Sequence, residues 1–216
     1  NIGLALNFQF VLSKATGKYF MWMSDDDFID ENFIRVLSKV LERFPSVNLA
    51  FPALTLYNAH GEKENTSGKY ISLESDRPEQ RVYDYFKQPL KMSYFYGLYR
   101  REVIQQFEFT PKMFGADILL NVCMAFSGKV LLCAETSYTY YMGGNSFDTE
   151  KLAKVIGLSS WKATFWGFND AIVTAKTIMQ LPAFKQISLS KRFVFCIRVG
   201  FLMLRKTKAF RSFFII

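Results

Sequence analysis

Asp25, Asp26 and Asp27 stand side by side between two hydrophobic runs, Tyr19-Phe20-Met21-Trp22-Met23 before and Phe28-Ile29 after. Adjacent carboxylates repel one another, which raises their pKa values or loosens their loop unless a positive charge sits among them. A hard divalent cation relieves that repulsion. Mg²⁺ typically takes one or two carboxylates and completes its shell with substrate phosphates. An acidic turn in water would serve equally as a helix cap, but the hydrophobic flanks argue against a purely solvated run. An EF-hand is excluded. With Asp25 as position 1, position 6 is Asp30 where Gly is needed, and position 12 is Val36 where Glu is needed.

Other chemistries are constrained by what is scarce. The only histidine, His60, lies in the turn-like segment Asn58-Ala59-His60-Gly61, so a Ser-His-Asp triad or a His-rich zinc site is not expected. Acid and base work falls to carboxylates. Cys123, Cys133 and Cys196 lack metal-ligand spacing. Their odd number speaks against a disulfide framework and for a reducing compartment.

The elements that must carry the aspartates can be read from periodicity. Residues 4–16 form a helix with Phe8, Val11, Leu12 and Ala15 on one face, stopped by Gly17. Lys18 to Met23 is a short buried strand with the aspartates at its C-terminal end, where open α/β sheets usually bind ligands. Asp30 and Glu31 open a second helix, with Phe33, Leu37, Val40, Leu41 and Phe44 as its buried stripe. Val47 to Tyr57 is a strand and Gly68 to Leu73 its hairpin partner. Residues 79–88 are helical. Ser93 to Tyr99 is a strand, and Arg101 to Phe107 a short helix. Ala116 to Phe126 is a helix, and Lys129 to Cys133 and Ser137 to Tyr141 are strands. From about residue 150 the pattern is helical, broken near Pro182.

Strands alternate with helices, so an α/β fold with helices flanking a sheet is expected, followed by a helical C-terminal appendage. The division is 1–149 for the sheet domain and 150–216 for the appendage. The charge follows it: beyond Asp170 there are nine Lys or Arg and no acidic residue, while residues 1–170 are close to neutral. Phe193, Ile197, Phe201 and Leu204 fall near one face of that basic segment. It is expected to lie on an anionic membrane surface, the alternative being a helix packed on the sheet domain with a solvated basic face. Nucleic acid is not expected, because no recognition motif accompanies the basic residues. No apolar run reaches the ~20 residues that span a bilayer.

The order Asn1-x-Gly3-x-x-x-Asn7, Ala15-x-Gly17-Lys18-Tyr19-Phe20, Ser24-Asp25-Asp26-Asp27, then a helix, resembles the family 2 glycosyltransferases of the GT-A fold. The resemblance implies a mixed, Rossmann-like sheet whose first strands lie upstream of Asn1, so the chain is expected to begin inside the domain. It implies a DxD motif that binds a divalent metal, Mn²⁺ or Mg²⁺, and a nucleotide-diphosphate sugar. Ser24 stands where many members have Asp, which leaves two registers open. Asp25 and Asp27 match DxD literally. Aligned from Gly17-Lys18-Tyr19, Asp26 is the metal ligand and Asp25 the sugar or ribose contact. The second is adopted here, with Asp25, Asp26 and Asp27 all kept as metal-site residues and Asn1, Gly3 and Asn7 as further donor-binding residues.

In that family the base opens a later helix, and Phe114-Gly115-Ala116-Asp117 fits the position, with Asp117 as the catalytic base. Read without the family, Asp117 is equally a first-turn helix residue. Tyr138-x-Tyr140-Tyr141-Met142-Gly143-Gly144-Asn145 resembles the loop that closes over the diphosphate. Arg100 and Arg101 are either phosphate contacts or surface charges. The expected activity is metal-dependent, inverting transfer of a sugar to a hydroxyl of a glycan or lipid-linked acceptor. The expected location is cytoplasmic, peripheral at the inner face of the membrane. A sugar nucleotidyltransferase and a non-catalytic carbohydrate-binding or peripheral membrane module are the alternatives.

Overall fold

A computed structural model describes residues 3–58, 60–64, 70–88, 92–109, 113–141, 157 and 166–205. The chain runs α1 (Leu4–Lys14), β1 (Tyr19–Phe20), β2 (Phe28–Ile29), α2 (Phe33–Arg43), β3 (Val47–Tyr57), β4 (Lys63–Glu64), α3 (Pro78–Lys87), α4 (Met92–Phe95), β5 (Leu98–Arg100), α5 (Arg101–Ile104), α6 (Ala116–Ser127) and β6 (Lys129–Tyr141). Two helices follow, α7 (Trp166–Gln180) and α8 (Leu189–Leu204), joined through a 3₁₀ turn at Pro182–Gln186.

The sheet is mixed, in the order β1-β5-β3-β6-β2, with β4 also paired to β3. Among the described strands only β3 and β6 are parallel. Since β6 follows one edge of β3 from Val47 to Tyr57, β4 and β5 share the other edge. The first six residues of β3 are all buried, as expected for a central strand covered on both faces. Pro52 lacks the N–H a central strand needs. The register shifts there: Pro52 pairs with Cys133 and the next residue, Ala53, with Ser137. Ala134, Glu135 and Thr136 therefore form a bulge in β6.

Two layers of side chains cover the sheet. On one face Phe33, Leu37 and Leu41 of α2 pack with Leu54, Leu56, Tyr138 and Tyr140. On the other, α3, α4 and α6 close over Leu49 and Phe51, where Phe51 stacks on Tyr94 at 4.3 Å. Ile178, Phe184, Phe195, Val199 and Met203 of the C-terminal helices belong to this second cluster. The helical segment thus shares its core with the sheet.

Several expectations need correction. Ser93–Tyr99 is not one strand: Met92–Phe95 is a helical turn and only Leu98–Arg100 pairs. The partner of β3 at its turn is Lys63–Glu64 in place of Gly68–Leu73. Of that stretch Leu73 makes a single bridge to Val130, and residues 65–69 lie outside the described residues. Lys18–Met23 pairs only at Tyr19–Phe20, on the sheet edge. Helix α2 begins at Phe33, and Asp30 instead accepts hydrogen bonds from the backbone N and Oγ of Ser137. Phe44 lies past the end of α2 and is exposed. Val11 is likewise exposed.

Gly97 is where α4 turns back into β5 against β3. A Cβ there would stand 2.5 Å from Leu49 Cδ1 and 2.6 Å from the Ala50 carbonyl oxygen. The backbone oxygen cannot step aside as a side chain can. Gly97→Ala is expected to destabilise the fold by roughly 1–3 kcal/mol, an overpacking cost. Chemical denaturation of the two proteins measures it, and a change below ~0.5 kcal/mol would contradict this packing.

Candidate active site

The aspartate turn is positioned by an aromatic cluster. Trp22 is buried and its ring meets Phe8, Phe20, Phe95, Tyr99 and Phe109, stacking on Phe95 at 5.1 Å. Helix α1 is held nearby through Gln9, whose Oε1 accepts from the Phe109 N–H at 2.9 Å. Directly after Trp22 the chain leaves the core, Met23 being exposed, and it turns at Asp25 and Asp26.

The three carboxylates do not share one environment. Asp25 and Asp26 are exposed, and neither is held by a hydrogen bond or ion pair among the described residues. Asp27 is 4 % exposed. Its Oδ2 accepts from the Tyr138 hydroxyl at 2.8 Å, and its Oδ1 faces the Tyr141 N–H at 3.4 Å. Burial pushes the Asp27 carboxyl above the usual carboxylate range, and these donors pull it partly back. Among the described residues, no group of three or more His, Cys, Asp or Glu could hold a metal ion. What the turn does offer is a pair of exposed neighbouring carboxylates. That suits a cation such as Mn²⁺ or Mg²⁺ that draws its remaining ligands from a diphosphate.

Asp117 lies in the first turn of α6 and is half-buried. Burial raises its carboxyl above the ordinary value, against the pull of its own and the Ile118 N–H groups. It does not cap the helix: the N-cap is Gly115, without a side-chain cap. The Gly115 N–H donates instead to Asp170 Oδ2 at 2.7 Å. Asp170, on α7, is fully buried, and its carboxyl is pushed up to about 6 by that burial.

Tyr96 packs on the tyrosine that holds Asp27. Its ring stacks on Tyr138 at 4.3 Å and tilts against Tyr140 at 5.7 Å. Burial raises the Tyr96 phenol most, and the charges of Asp27 and Asp117 both add to the shift. Tyr140 is affected in the same way by Asp27 and Asp26. The aspartate turn and the α6 N-terminus therefore act on one tyrosine cluster, although 90 residues separate Asp27 from Asp117 in the sequence.

The other residues singled out in the sequence divide. Gly3 precedes α1 with φ of 83°, a left-handed conformation that favours glycine. Asn7 is on the exposed side of α1 and makes no hydrogen bond to the aspartate turn. Asn1 and the Gly143-Gly144-Asn145 loop lie outside the described residues. Arg100 donates to the carbonyls of Val47, Leu41 and Phe44, and Arg101 to that of Gly17, so both serve the backbone. The three cysteines are buried and free. Tyr96 and Asp170 carried no signal as site residues, since each depends on contacts far away in the chain.

Asp170 generates a pH prediction. Its folded-state value of about 6 lies above the ordinary 3.8. The folded protein thus holds this proton longer than the unfolded chain, and its contribution to stability falls as pH rises from about 4 to about 6. Asp170→Asn keeps an acceptor for Gly115 and removes the ionisation. Its stability relative to the parent is expected to rise over that window by on the order of 3 kcal/mol. Urea unfolding of both proteins at pH 4 and pH 7 tests this, and an unchanged difference would refute it.

No family model matches the chain, and no curated protein matches it. Among solved structures, that of S. aureus TarS residues 1–349 in complex with UDP-GlcNAc is similar with a TM-score of 0.61 at 10% identity, covering 97% of this chain and 54% of that one. Two further S. aureus TarS structures give TM-scores of 0.46 and 0.47 at 10% and 11% identity, covering 96% and 93% of this chain and 38% and 60% of theirs. The chain spans about half the length of the first of these. That likeness is one of fold, and the fold, a mixed sheet flanked by helices, is glycosyltransferase-like.

Proposed function

We propose that this chain belongs to the catalytic part of a metal-dependent, inverting glycosyltransferase of the family 2, GT-A kind, using a nucleotide-diphosphate sugar. The observation that carries the reading is an exposed carboxylate pair, Asp25 and Asp26, on a turn tied through Asp27 to Tyr138, together with a half-buried carboxylate, Asp117, in the first turn of α6. Donor binding needs the first and acceptor activation the second. The similarity to a structure holding UDP-GlcNAc supports a UDP-linked sugar as donor.

In this reading Asp25 and Asp26 present their carboxylates at the diphosphate, with Asp26 as the principal metal ligand. A divalent cation held there would supply positive charge to the departing diphosphate. Asp27 holds the turn to β6 through Tyr138 and Tyr141, which fixes the direction of its two neighbours. Asp117 takes the proton from the acceptor hydroxyl as its oxygen bonds to the anomeric carbon. The bond from that carbon to the diphosphate breaks on the opposite side, and the configuration inverts. Burial of Asp117 strengthens it as a base.

The test separates the two roles in the full-length protein. Asp26→Asn is expected to weaken Mn²⁺-dependent UDP binding by at least tenfold in calorimetry. Asp117→Asn is expected to leave that binding within about twofold and to lower transfer by 10²–10⁴, the usual weight of a general base. Wild-type UDP binding in Asp26→Asn, or wild-type turnover in Asp117→Asn, would sink the assignment. Pyrophosphate release from a nucleoside triphosphate and a sugar phosphate would favour a nucleotidyltransferase instead.

The same proposal includes peripheral attachment at the inner face of a membrane. Phe193, Val194 and Ile197 of α8 are exposed large apolar residues, with Lys191 and Arg198 exposed beside them. Such a face suits the interface of an anionic bilayer. No helix among the described residues is long and apolar enough to cross one. Phe193→Ser with Ile197→Ser is expected to release the protein from phosphatidylserine vesicles in a sedimentation assay. Unchanged co-sedimentation would remove this element of the proposal.

A further inference from the structure

Beyond the helices, the far end of the sheet carries an open face that the donor and base assignments do not use. Alternation along β3 places Thr55 and Tyr57 on the same face as Phe51, the face covered further back by α6. Register adds Thr139 and Tyr141 of β6, which pair with Thr55 and Tyr57. Phe28 of β2 pairs with Thr139 and joins the same face. The opposite side of these strands belongs to Tyr138, Tyr140, Leu54 and Leu56, which are buried.

Three rings on this face pack together. Tyr57 and Tyr141 are stacked, with centroids 5.0 Å apart and planes 14° apart. Phe28 meets Tyr141 edge to face at 6.1 Å. They nevertheless remain open to solvent, Phe28 at 62 % and Tyr141 at 40 %. Exposed, mutually braced aromatic surface of this kind is suited to a ligand, because little side-chain freedom is lost on binding. The hydroxyls of Thr55, Tyr57, Thr139 and Tyr141 make no hydrogen bonds among the described residues. None of these five side chains is charged.

The platform adjoins the candidate active site. Phe28 follows Asp27 directly, and the Tyr141 backbone N–H faces the Asp27 carboxylate. A molecule lying on these rings is therefore beside the end of the aspartate turn, on the side of the sheet that carries α6 and opposite the cluster of Tyr96, Tyr138 and Tyr140. A surface of ring faces bordered by hydroxyls, with Lys63 of β4 at its edge opposite Tyr57, complements a sugar ring. The C–H groups of such a ring meet the negative aromatic face, and its hydroxyls find donors and acceptors at the border. The three rings and the hydroxyls of Thr55 and Thr139 carry no charge themselves, and the cation of Lys63 stands at the border.

We propose that Phe28, Tyr57 and Tyr141 form the acceptor subsite, which takes a sugar ring of a neutral glycan by stacking. This rests on the glycosyltransferase reading for its place in the reaction, while the binding itself does not. The experiment applies the full-length protein to an immobilised panel of neutral oligosaccharides and measures Mn²⁺–UDP binding in parallel by calorimetry. The parent should bind at least one oligosaccharide. Phe28→Ala and Tyr57→Ala should each weaken that binding by about tenfold or more, Phe28→Trp should retain it, and UDP affinity should stay within twofold in all three. Phe28 is mostly exposed, so its removal leaves the core intact. The proposal is overturned if the parent binds no panel member while binding UDP, or if the alanine variants bind glycan as the parent does. It is also overturned if they lose UDP, which would make the rings a nucleobase site. Loss of glycan in the variants of a parent that never binds UDP would uphold the platform and remove the transferase reading.

Discussion

A carboxylate removed from water must find donors, and Asp27 finds them on β6. Its bonds to the Tyr138 hydroxyl and the Tyr141 N–H join a turn after β1 to a strand inside the sheet. Hydrogen bonds to a charged group contribute about 1.5–3 kcal/mol each, and leaving such a group buried without them costs at least as much. The path of residues 24–30 is therefore tied to β6. Asp30 repeats the tie with Ser137, and Phe28 and Ile29 pair with Thr139 and Tyr138. Asp25 and Asp26 project outward because the residue after them is held inward.

That tie depends on the bulge in β6. Three extra residues, Ala134 to Thr136, separate Cys133 from Ser137 while β3 passes from Pro52 to Ala53 without interruption. An odd number of extra residues reverses which side chains face which layer. Cys133 and Tyr138, of opposite parity in the sequence, accordingly pack in the same cluster under α2. Without the bulge the phenol of Tyr138 would point to the other face and Asp27 would lose its partner. The same phase places Tyr141 on the open side, beside Tyr57 and Phe28.

The parts legible in the sequence were those set by local pattern. Val47–Tyr57 is a dense run of strand formers, and Ala116–Ser127 is an apolar helix ended by Gly128. The aspartates announced themselves by adjacency. Aromatic richness was a poorer guide. Tyr94 lies in a helical turn because its ring stacks on Phe51 and its hydroxyl reaches the Ile71 carbonyl at 2.8 Å, contacts that no short window contains. Lys129–Cys133 and Ser137–Tyr141 were visible as strands, but their continuity through a bulge depends on Pro52 of another strand. The division of labour within the triplet was invisible for the same reason, since the partner of Asp27 lies 111 residues away.

The C-terminal helices show how distant sequence reaches the candidate base. They direct Lys176, Lys191 and Arg198 outward, and the last acidic residue of the chain, Asp170, inward beneath the start of α6. The opening amides of a helix need acceptors. A side chain at the N-cap usually provides one, but Gly115 has none to offer, and a Cβ there would approach Asp170 Oδ2 to 3.1 Å. Asp170 supplies the acceptor from another element, and its own ionisation is opposed by burial first and by Asp117 in smaller part. The reciprocal consequence concerns Asp117. With the cap filled from α7, the acid two residues further on is not consumed in capping and stays half-buried, its charge acting on Tyr85, Tyr96 and Tyr99. A helix start braced from outside is what a carboxylate needs if it is to remain both fixed and chemically free.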